Sequence, residues 1–138
     1  MKKFMRGERR LKPIRALSIS LGLASILIGV VLYFLLREPG PPPPLFRWAF
    51  VSLSFELWCG LFLLTGVGTL AANIVRRGTS AAHAFGVFVW GWWAILLTVG
   101  TTETGLATSG YSFLCAIAAI AYWVCAAYWE WEYSRGRQ

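Results

Sequence analysis

The chain has 138 residues, of which 57% are hydrophobic and 14% charged, and its formal net charge is +7. Soluble domains carry about a quarter charged residues, so this composition lacks the polar surface to hold a globule in water and points to lipid as the solvent. Nucleic acid is excluded as the expected partner, because the positive residues sit at the ends of apolar stretches and not on one folded face.

The amino-terminal segment carries Lys2, Lys3, Arg6, Arg9, Arg10, Lys12 and Arg15. An apolar run over about 14–36 follows. It is too long for a signal-peptide core and ends in Arg37-Glu38-Pro39 without a small-residue cleavage site, so it reads as a retained anchor. Ser18, Gly22, Ser25 and Gly29 recur within it at helical spacing and share one stripe. Small residues on one stripe let a second backbone approach closely in lipid. Packing inside the bundle is the first expectation for this stripe, and self-association the second.

Pro39-Gly40-Pro41-Pro42-Pro43-Pro44 cannot be helical and predicts a stiff polyproline spacer in an outer loop over 38–47. The second apolar segment, about 48–75, is the longest and is expected to tilt or project from the membrane. Glu56 is the one acidic residue inside a predicted span, ~12 Å beyond Trp48 at 1.5 Å per residue. An ionised carboxylate at that depth is costly, so it must face the bundle, find a partner or take up a proton. Ser52 and Cys59 fall on the same face, which makes Glu56, Ser52 and Cys59 the candidate intramembrane polar site. Gly68 and Ala72 form a further small pair.

Arg76-Arg77-Gly78 ends this segment in a turn. The third segment, about 82–100, opens with His83, the single histidine, expected at the interface and not as a ligand. Its centre carries Trp90-Gly91-Trp92-Trp93, whose indoles point in several directions, so at least one meets lipid or a partner. Packing is the stronger reading there, ahead of a cage for a cation. Thr101 to Ser109 reads as a polar loop with Glu103 solvated. The fourth segment, about 110–129, pairs Cys115 with Ala119 and Ala121 with Cys125. Trp129, Trp131 and Tyr133 suit one membrane interface, and Tyr33, Trp48 and Tyr111 the other.

Four crossings put eleven lysines and arginines on one side and only Arg37 and Arg47 on the other. That bias predicts both termini in the cytoplasm. The expected fold is an all-α integral membrane protein: a four-transmembrane-helix up-down bundle forming one membrane domain over 1–138. The expected location is a bacterial inner or plasma membrane. Cys59, Cys115 and Cys125 lie in apolar stretches without a CxxC and read as packing residues. The chain has no aspartate, and it carries no GxSxG, phosphate-binding loop, HExxH or haem-attachment motif. No metal, no cofactor and no enzymatic activity are therefore expected. Two functional classes remain. The first is association within the bilayer, as a holin-like pore former or an accessory membrane subunit, with lipid and further copies or another membrane protein as partners. The alternative is a small proton- or cation-coupled transporter using Glu56, with a complete path only in an oligomer.

Overall fold

A computed structural model describes residues 2–35, 37, 40–41, 44–104 and 110–135, with the side chains of 13–34, 37, 40–41, 44–102 and 110–135. Among these the chain forms α1 (Lys2–Leu35), a 3-10 turn (Pro44–Phe46), α2 (Arg47–Ser52), α3 (Phe55–Val75), α4 (Thr79–Thr104) and α5 (Gly110–Arg135), and no strand. Four helices are long and apolar enough to cross a membrane, over Pro13–Phe34, Phe55–Val75, Thr79–Thr102 and Gly110–Arg135. Only 28 to 44% of each span is buried inside the bundle. Leu27, Phe34, Leu64, Ile74, Phe113 and Trp123 stand exposed on its outside. Water would penalise so broad an apolar surface, whereas lipid accepts it and helices satisfy their own backbone. Among the described residues the molecule is thus all-helical, and its four long apolar helices point to a multi-pass membrane protein.

α1 packs along α3 and α4 along α5. The two pairs join through α3 and α4, with α1 also touching α5. The small-residue stripe of α1 explains the first pair. Ser18 and Ser25 are fully buried. A Cβ on Gly22 would lie 3.2 Å from the Gly66 carbonyl, and one on Gly29 would lie 3.2 Å from that of Cys59. From the opposite side, a Cβ on Gly66 would fall 2.5 Å from the Gly22 carbonyl. The two backbones therefore run nearly in contact, and the stripe serves internal packing. Gly68, expected to pack, instead faces open space. In the second pair, Gly86 gives room for the Tyr122 ring to lie against α4.

The second apolar segment is not one helix. Leu53 and Ser54 are extended, and the Ser54 hydroxyl caps α3 by accepting from the Leu57 amide. The Ala49 carbonyl holds this break together. It accepts from the Leu53 amide, the Ser52 hydroxyl and, at 2.8 Å, the Trp58 indole. The 3-10 turn closes against α4, where a Cβ on Gly100 would lie 2.5 Å from the Leu45 carbonyl. α4 begins at Thr79 and runs to Thr104, taking in the first residues of the expected polar loop, and α5 continues beyond 129 to Arg135. Loop residues 38, 39, 42, 43 and 105–109, Arg137, and the side chains of Glu103 and the basic residues up to Lys12 lie outside the described residues.

α3 ends on Arg76 in the left-handed conformation (φ 58°), and Gly78 (φ 67°) completes the turn into α4. Up-and-down order gathers Arg15, Arg76, Arg77 and Arg135 at one end of the bundle, the basic end. Arg37, Arg47 and the 3-10 turn mark the other, the loop end.

Candidate functional site: a buried polar column under an aromatic cluster

The basic half of the interior is polar. Asn73 on α3 donates from Nδ2 to the Ser18 hydroxyl oxygen on α1 at 2.6 Å. The same hydroxyl pairs with His83 Nε2 on α4 at 2.6 Å. His83 Nδ1 faces the Thr79 carbonyl. A carbonyl only accepts, which assigns the proton to Nδ1, leaves Nε2 as an acceptor and makes Ser18 the donor to it. Asn73 gives its second N–H to the Thr69 carbonyl at 2.8 Å. Arg15, half-buried at the mouth of the column, donates to the Asn73 carbonyl at 3.4 Å.

A second cluster lies deeper. The Ser25 hydroxyl donates to the Leu21 carbonyl at 2.9 Å, so it can only accept from its other partners. These are the Trp90 indole N–H and the Tyr122 phenol, each at 2.9 Å. Thr69 stands beside the Tyr122 phenol, and the Tyr122 and His83 rings lie 5.8 Å apart. The column thus joins all four long helices through directed bonds. Among the described residues, Asn73 Oδ1 and Thr79 Oγ1 are buried without a partner. Such atoms carry a desolvation cost of about 1–3 kcal/mol each. Among the described residues no three metal-ligating side chains gather.

The loop half is filled by rings. Trp58 and Trp93 meet at 4.7 Å between centroids, Phe62 meets Trp90 at 5.2 Å and Trp93 at 5.4 Å. Phe46 from the 3-10 turn stacks on Trp93 at 5.9 Å. Most pairs are edge-to-face, the arrangement that the ring quadrupole favours. Trp92, between the two buried indoles in sequence, is 44% exposed and stacks on Phe88. The expectation that one indole of the triplet faces outward holds.

Of the sequence-derived polar site, Glu56 and Cys59 stay close enough to interact on α3, whereas Ser52 lies on the separate helix α2. Glu56 is exposed in the first turn of α3, Ser52 is exposed on α2, and Cys59 is buried. The break at Leu53 and Ser54 restarts the helix, so Glu56 lies in the first turn of α3 and not in the middle of one continuous helix. Its charge there suits the positive end of the helix dipole. His83, expected at the interface, is fully buried. Asn73, Thr69, Tyr122 and the polar use of Ser18 and Ser25 were not anticipated. Thr65, Thr69 and Asn73 recur every four residues on α3, a polar stripe that could have revealed the column.

No family model, curated protein or solved structure matches this chain, so its site is interpreted from its own geometry.

Proposed function

We propose that the protein is a non-enzymatic membrane component that works by association within the bilayer, as an accessory subunit and not as a conduit through its own bundle. The packing of Trp58 and Phe62 on α3 against Trp90 and Trp93 on α4 in the loop half carries this reading. Rings in mutual contact leave no space for a hydrated ion between them. The polar column below them is largely bonded within itself and meets the cluster at Trp90, whose indole donates to Ser25. What the molecule offers other molecules is therefore its outer surface.

A holin-like pore would have to form between copies. The exposed hydroxyls of Ser20, Thr98 and Thr102 are bonded to carbonyls of their own helices, which weakens any polar lining on that surface. The transporter reading is less favoured because Glu56 is exposed in the first turn of α3 and does not face the bundle interior. The excess of lysine and arginine at the basic end favours the cytosolic face for that end, and for both termini.

Vesicle reconstitution combined with crosslinking in cells tests the reading. Vesicles carrying the purified protein should hold an ion gradient as well as empty ones, while an amine- or photo-crosslinker traps a discrete membrane complex in cells. Leaky vesicles would favour the pore, and a chain that never crosslinks would remove association altogether. A reporter fused after Gln138 should be cytosolic, and activity on the opposite face would reverse the orientation.

A further inference from the structure

We propose that the seam between α3 and α4 is a binding site for one anionic phospholipid, with an acyl chain in the seam and the phosphate at the Arg76–Arg77 turn. The inference rests on the multi-pass membrane reading and is independent of the partner in the proposed association. The seam holds an apolar groove of about 240 Å³ lined by Leu64, Thr65, Gly68, Ala82 and Phe85. Thr65 contributes no free polarity, because its hydroxyl donates to the Leu61 carbonyl of its own helix at 2.7 Å. Gly68 has nothing within 4 Å of where its Cβ would stand, so the backbone itself forms part of the groove floor.

The position of the groove relative to charge argues for a lipid and not a second copy of the chain. At 1.5 Å per residue, Ala82 lies ~4.5 Å above the start of α4, and Leu64 lies ~16 Å above the end of α3. The groove therefore lies inward of the turn that carries Arg76 and Arg77. Both arginines are exposed, and among the described residues neither has an ion-pair partner. An apolar chain along the seam beneath two cations reproduces the layout of a phospholipid, and basic pockets between membrane helices bind anionic headgroups. A second copy would place two more arginines against this pair, and like charges at close range repel.

Native mass spectrometry of the full chain, released from nanodiscs of mixed phosphatidylcholine and phosphatidylglycerol, tests the proposal. The protein should retain phosphatidylglycerol in preference to phosphatidylcholine. Arg76→Gln with Arg77→Gln should lower retained phosphatidylglycerol by about fivefold per arginine and leave phosphatidylcholine unchanged. Arg37→Gln with Arg47→Gln makes the same charge change at the loop end and should leave the retention of both lipids unchanged. Gly68→Leu fills the groove and should reduce retention of both lipids. Should that variant lower helix content, the comparison of the two arginine pairs decides alone. Equal retention of the two lipids, or equal effects of the two arginine pairs, would overturn the site, as would a folded Gly68→Leu protein that retains lipid like the wild type.

Discussion

In the basic half the four long helices meet through Ser18, Asn73, His83 and Tyr122, whereas in the loop half α3 and α4 meet through Trp58, Phe62, Trp90 and Trp93. The first set is directional. Each donor has one acceptor, so removing one group strands another. The second set depends on shape and volume, and it tolerates a change of ring better than the loss of one. The contrast teaches what lipid allows. Lipid supplies little drive to bring apolar faces together, so helices are held by close packing and by polar groups that find one another.

The difference can be probed residue by residue, with unfolding free energy in mixed micelles as the common measurement. Phe62→Ala removes a fully buried ring from the centre of the loop half and should cost most, about 3–5 kcal/mol. A loss below 1 kcal/mol would mean that the cluster is loosely packed. Gly66→Leu forces a side chain into the Gly22 backbone and should cost about 2–3 kcal/mol by overpacking. Gly68→Leu, on the same helix but facing open space, should cost little. If the two glycine variants behave alike, the close approach of α1 to α3 is wrong.

Ser18→Ala tests the polar half. It strands His83 Nε2 and one N–H of Asn73 Nδ2 and should cost about 2 kcal/mol. Tyr122→Phe should cost only about 0.6 kcal/mol, a typical value for a hydrogen bond between membrane helices, because Ser25 keeps Trp90 and Leu21 as partners. Equal losses from the two would remove the reason for calling the column directional. A similarly small effect is expected for Glu56→Gln, about 0.3–1 kcal/mol from the helix dipole. A large loss would return Glu56 to the interior.

What was readable in the sequence follows from what linear spacing encodes. Four apolar runs gave the number of long helices, because run length maps onto the thickness of lipid. The spacing of Ser18, Gly22, Ser25 and Gly29 gave the buried face of α1, because helical period fixes which residues lie together. Spacing does not reveal what that face meets. Ser18 and Ser25 therefore looked like small fillers, when their hydroxyls are the hubs of the polar column. Position along a run gives depth but not azimuth, so His83 near Arg77 looked interfacial although its ring points inward. Glu56 was misplaced because Trp48 to Val75 looked continuous. The serines at 52 and 54, which compete locally for backbone hydrogen bonds, were the sign of a break there.

The three native cysteines give the most direct test of a closed interior. Cys59, Cys115 and Cys125 lie in the core and are at most 8% exposed. In intact vesicles a membrane-impermeant maleimide, applied on both faces, should leave all three unmodified until the protein is denatured. Rapid labelling of Cys59 or Cys125 in the folded protein would reveal a water path through the bundle and contradict the account.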